Sequence, residues 1–73
     1  MRILRGPDAP DRMVDVMKNM GRPMSRTEIR EVIHRVKNHP NVGLGAADDL
    51  IFDHSGGLWN SLNGEYLGKI WEW

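Results

Sequence analysis

Seventy-three residues suffice for one small domain, at a size where only about 60% of the unfolded chain's surface can be buried and stability is slim. The chain has no cysteine, no apolar stretch of membrane-spanning length and no seven-residue apolar run in its opening MRILRGPDAPDRMVD, so disulfide stapling, thiolate chemistry, export and a membrane span are all unexpected and a reducing cytoplasm is the natural setting. The formal net charge of zero hides a division: residues 1–37 hold nine Lys/Arg against five Asp/Glu, residues 38–73 one against five, and no lysine or arginine lies between Lys37 and Lys69.

Residues 1–7 (MRILRGP) read as a basic and apolar arm, either extended or a frayed terminus, ahead of a single domain over residues 8–73. From Asp8, with Pro10 tolerated in a first turn, a helix is expected in which Met13, Val14, Met17 and Met20 form the apolar stripe and Gly21 is the stop. The strongest local signal opens a second helix, where Ser25 and Glu28 make an S-x-x-E capping box flanked by Met24 and Ile29. Ile29, Val32, Ile33 and Val36 follow at i, i+3, i+4 and i+7, and His39 before Pro40 closes the helix.

Asn41 to Gly45 reads as a loop, and Ala46 to Asp53 as a short helix running into a strand. The tail predicts a hairpin, because Asn63-Gly64 is the pair that a two-residue type I′ turn prefers; that register sets Trp59 opposite Gly68, whose bare backbone its ring would cover. The expected fold is therefore α+β, two or three helices with a C-terminal β-hairpin.

Gly21-Arg22-Pro23-Met24-Ser25-Arg26-Thr27-Glu28-Ile29 resembles the G-x-P-L-S-x-x-E-I turn that opens the second helix of many winged helix-turn-helix domains. That resemblance implies a winged-helix-like arrangement over residues 8–71, with a third element reading the major groove and the hairpin as wing. The sequence departs from the pattern there: the third element and wing fall in the stretch without cations and carry Asp48, Asp49 and Asp53, which a polyanion would repel. The 73-residue length, the RILRGPDAPDRMV opening and the tryptophan-rich end together resemble a group of small lytic-phage proteins that bind the host's multisubunit RNA polymerase. This second resemblance implies inhibition of initiation, antitermination, or both, in the host cytoplasm.

All five aromatics, Phe52, Trp59, Tyr66, Trp71 and Trp73, lie in the last twenty-two residues. Alternate residues of a hairpin face opposite ways, so Phe52 and at least one tryptophan are expected in the core and others at an interface. Arg22, Arg26 and Arg30 could present one side of the second helix's start to carboxylates or phosphates; the plainer reading is a solvated helix face. His34, His39 and His54 match no zinc spacing, and Gly43-Leu44-Gly45 lacks the third glycine of a dinucleotide fingerprint, where Asp48 stands instead. No nucleophile stands beside a base, and the adjacent Asp48 and Asp49 cannot face one another on one helix surface, so no catalysis, cofactor or metal is expected.

The leading expectation is thus a monomeric transcription regulator that binds bacterial RNA polymerase by protein contacts through Arg22, Arg26, Arg30, Trp59, Tyr66 and Trp71. On its own it should bind DNA weakly or not at all. The alternatives are a winged-helix repressor or excision factor, and an assembly protein self-associating through the tryptophan-rich tail.

Overall fold

In the computed structural model, which describes residues 3–45 and 47–73, local signals build the helices and non-local pairing builds the sheet. Helix α1 spans Ala9–Asn19, with Pro10 in its first turn. Gly21, at φ +74°, ends it: its N–H donates to the Lys18 carbonyl at 3.1 Å and the Arg22 N–H to that of Met17 at 3.0 Å, the two bonds of a Schellman motif. Ala9, Met13, Val16 and Met17 are buried and Val14 packs at the edge of the core. Met20, expected on that stripe, is instead exposed, because the chain has already left the helix there.

Helix α2 spans Arg26–Asn38. Its capping box is complete: the Glu28 N–H donates to Ser25 Oγ and the Ser25 N–H to Glu28 Oε1, each at 3.1 Å. Ile29, Val32 and Val36 are buried, and Ile33 lies half-buried beside them. The helix ends at His39, whose extended backbone (ψ 127°) is what a following proline requires.

The segment joining α2 to the sheet makes turns, with Val42 and Leu44 buried. Of the expected short helix, Ala46 lies outside the described residues, Ala47 is in a turn, Asp48 in a bend and Asp49 in no regular structure; no third α-helix occurs among the described residues. The strand half of that expectation holds as β2 (Leu50–Asp53).

Four antiparallel strands follow the order β1 (Ile3–Leu4), β2, β3 (Gly57–Asn60) and β4 (Tyr66–Lys69), and a 3-10 turn over Ile70–Glu72 ends the regular structure. The arm therefore takes the extended of its two readings over Ile3–Leu4, with Leu4 buried opposite Phe52; Met1 and Arg2 lie outside the described residues.

The hairpin exists, but not with the expected turn. A type I′ turn needs positive φ at both central residues, and of the pair only Gly64 has it (φ +72°). Ser61–Gly64 instead make a four-residue loop, closed by the Asn60 N–H donating to the Glu65 carbonyl at 2.9 Å and the Gly64 N–H to the Asn60 carbonyl at 2.8 Å. The side chain of the buried Asn60 shapes this loop, accepting from the Leu62 N–H and donating to the Val42 carbonyl, both at 2.8 Å. The register moves accordingly: Trp59 pairs with Tyr66, Leu58 with Gly68, and Leu67 is the extra residue of a β-bulge.

Leu50, Phe52 and Leu58 face the helices, and with Leu4, Ile70 and the apolar stripes of α1 and α2 they close one core. Phe52 is its fully buried aromatic. The tryptophan expected with it is not fully buried: Trp73 is half-buried at the edge, its indole N–H donating to the Leu67 carbonyl at 2.9 Å and its ring edge-on to His39.

Candidate functional site

Because side chains alternate along a strand, burying Leu50, Phe52 and Leu58 sends Ile51 and Trp59 to the opposite face of the sheet. Register then aligns Ile51, Trp59 and Tyr66 in one row across β2, β3 and β4. The Trp59 and Tyr66 rings lie 4.8 Å apart at a 55° tilt, Tyr66 is 45% exposed, and Leu62 in the neighbouring loop is 63% exposed. The row is thus a part-exposed aromatic and aliphatic strip on the face away from the helices, with Ile51 and Trp59 half-buried and Tyr66 exposed.

What holds Trp59 in place is Asp53, expected from sequence on an acidic surface and found buried, 5% exposed. Its Oδ1 accepts the Ser55 and Gly57 backbone N–H groups, each at 2.8 Å, and its Oδ2 accepts the Trp59 indole N–H at 2.9 Å. Burial pushes the carboxyl pKa up. The bonds from Trp59, Gly57 and Ser55, with the nearby Lys69 charge, outweigh that and hold it below the ordinary aspartate value. Asp53 is therefore the anchor of the β2–β3 turn and of the tryptophan above it.

The other two acidic positions are also engaged locally. Asp48 caps its own turn, accepting the Gly45 N–H at 2.8 Å, and Asp49 pairs with Arg5 at 3.0 Å. The repulsive acidic face anticipated from Asp48, Asp49 and Asp53 is therefore not present as a unit.

A second cluster forms where α1, the β2–β3 turn and the terminal 3-10 turn meet. The Arg22 guanidinium carbon lies 4.3 Å from the centroid of the Trp71 ring, and Lys69 Nζ lies 5.9 Å from the same centroid. Against the ring lies Gly56, at φ +78°: a Cβ there would come within 2.8 Å of the indole and 3.5 Å of Met17 Sδ. Arg22 and Trp71, 49 residues apart, are thus brought together by the end of α1 and by the Ile70 N–H, which donates to the Gly56 carbonyl at 2.8 Å.

Arg26 and Arg30 do not join them. Arg26 pairs with Asp11 of α1 at 2.9 Å, both ends more than half exposed. Arg30 sits on the open face of α2 with Thr27, Glu31, His34 and Arg35, around a shallow depression. The six residues anticipated from sequence therefore divide into an aromatic strip (Trp59, Tyr66), a cation–π cluster (Arg22, Trp71) and the flank of α2 (Arg26, Arg30). Sequence reasoning missed Ile51, Leu62, Gly56 and Lys69, and the anchoring role of Asp53. Only the last had a readable signal, the Asp-x-Ser-x-Gly spacing of a side chain that accepts from the backbone two and four residues on.

Among the described residues no three His, Asp or Glu side chains converge as a metal site would require, and no helix is long and apolar enough to cross a membrane. Comparison with protein families, with curated proteins and with solved structures returned no match.

Proposed function

We propose that the chain is a phage-type transcription regulator that binds bacterial RNA polymerase through protein contacts and thereby inhibits initiation, promotes antitermination, or both. The observation that carries the protein-binding half of this reading is the strip Ile51–Trp59–Tyr66, part-exposed on the helix-free face and most open at Tyr66, with the exposed Leu62 in the loop after β3. Aromatic side chains held rigidly in the open are what interface hot spots are made of, each about 2 kcal/mol or more when truncated, and here Trp59 is fixed by Asp53 before any partner arrives. The choice of polymerase as partner rests on the resemblance of the RILRGPDAPDRMV opening and tryptophan-rich end to the small lytic-phage proteins. Binding of the labelled chain to purified bacterial RNA polymerase, followed by fluorescence anisotropy at physiological salt, tests it. Saturable binding is expected, and its absence overturns the reading.

A second reading is favoured by one observation. The open face of α2 carries Arg30 and Arg35, neither ion-paired among the described residues, beside Thr27 and His34. With the acidic positions engaged elsewhere and no third α-helix described, α2 would itself be the reading helix of a winged-helix-like repressor or excision factor. That reading requires duplex binding whose affinity falls steeply with salt, about 0.9 in log-log slope per phosphate neutralised. Glu31, in the middle of the same face, weighs against it.

A further inference from the structure

Arg22 and Lys69 are the two cations set against an exposed aromatic ring, and they come from opposite halves of a chain whose second half holds no other lysine or arginine. Neither takes part in an ion pair among the described residues, where the pairs are Arg5–Asp49 and Arg26–Asp11; Lys69 Nζ donates to the Ser55 carbonyl at 3.2 Å, and its charge also reaches the buried carboxylate of Asp53. Glu72 accepts the Lys69 backbone N–H at 2.8 Å and makes no ion pair with its Nζ. A guanidinium lying over an indole leaves the N–H groups at its rim directed outward, in the fork that matches a carboxylate. Gly56 lies close against the Trp71 ring, leaving no room for a Cβ, and the Ile70 N–H bond to the Gly56 carbonyl fixes the backbone that carries the ring.

We propose that Arg22, Lys69 and Trp71 form a docking site for an acidic side chain of a protein partner, an Asp or Glu that enters between the two cations and is flanked by an apolar residue resting on the open part of the indole. That the partner is a protein rests on the reading above; the anion-binding chemistry is independent of it. Both cations lie against one ring, 4.3 and 5.9 Å from its centroid, so positive charge is concentrated at one point, which suits a single anionic group. A nucleic-acid strand offers charges in a repeating line and gains by a row of cations, whereas the cations set against this ring are two, Arg22 and Lys69. A carboxylate next to an aliphatic side chain uses everything the cluster presents.

The test is an NMR titration of the ¹⁵N-labelled full chain with a blocked peptide alternating Glu and Leu, with its Gln/Leu counterpart, and with a 20-bp DNA duplex. The Trp71 indole and Arg22 Nε cross-peaks should move with the Glu peptide and stay still with the Gln peptide. Arg22→Gln/Lys69→Gln should weaken Glu-peptide binding about tenfold or more while core methyl signals such as those of Met17 and Leu58 remain in place. Cross-peaks that do not move with the Glu peptide, that move equally with the Gln peptide, or that move more with the duplex overturn the site. In a parallel arm, purified RNA polymerase is titrated with both chains. Failure of the unsubstituted chain to bind polymerase defeats the proposed function and leaves the peptide titration to decide this site; binding that the double substitution leaves unchanged overturns it.

Discussion

The Trp59 indole N–H donates to Asp53 Oδ2 at 2.9 Å, so a buried carboxylate on one side of a tight turn sets the orientation of a half-buried ring on the other. Asp53 also accepts from Ser55 and Gly57. Asp53→Ala would leave all three donors without their acceptor at a largely buried site, each orphan costing about 1–3 kcal/mol. We expect a loss of about 3 kcal/mol or more, a large share of the stability available to 73 residues, measured by urea denaturation.

The same carboxylate makes stability depend on acid in a predictable direction. Its pKa is lowered in the fold, so the stability it contributes is fully present above the unfolded aspartate value of about 3.9. That stability is lost as pH falls through that value towards the folded one. Asp53→Asn should therefore flatten part of the decline in unfolding free energy below about pH 4. An acid limb as steep in the variant as in the parent would contradict the assignment.

Trp59 and Tyr66 should separate under mutation although their rings touch. Tyr66 is exposed and its side chain makes no hydrogen bond among the described residues, so Tyr66→Ala should cost no more than about 1 kcal/mol of stability, the worth of a cross-strand pair. Trp59→Phe keeps the ring stack but deletes a bond to a charged acceptor, and should cost about 1.5–3 kcal/mol. Thermal unfolding of the two variants side by side reads the difference; equal losses would mean that the Asp53 bond does not hold the strip.

Gly56→Ala combines two penalties. Its φ of +78° is a left-handed backbone that costs an L side chain about 1–2 kcal/mol, and the added methyl would meet the Trp71 ring at 2.8 Å. The ring should be displaced from under Arg22, which a shift of the Trp71 indole resonance would report. An unchanged resonance would argue that Gly56 does not support the platform.

How much of this was legible follows from how local each determinant is. Both helices were, because their caps are written within four residues: Gly21 for the Schellman end of α1, Ser25 and Glu28 for the start of α2. The hairpin was half legible. Asn63-Gly64 marks a turn, but the buried Asn60, held by the Val42 carbonyl, fixes a four-residue loop and moves the register, so that Trp59 meets Tyr66 rather than Gly68. Strand β1 and the pairing of Arg22 with Trp71 span about fifty residues, and nothing in composition or periodicity encodes such a meeting. The acidic residues misled for the same reason: a sequence gives the charge of Asp53 but not that three donors bury it.

Protein binding by the Ile51–Trp59–Tyr66 strip is tested by comparing the affinity of the chain and of Tyr66→Ala for purified bacterial RNA polymerase and for duplex DNA at physiological salt. We predict saturable polymerase binding that weakens about thirtyfold in Tyr66→Ala, the equivalent of a hot-spot loss of about 2 kcal/mol, with circular dichroism unchanged and little binding to the duplex. Tight, steeply salt-dependent duplex binding that Tyr66→Ala leaves untouched, with no affinity for polymerase, would contradict it.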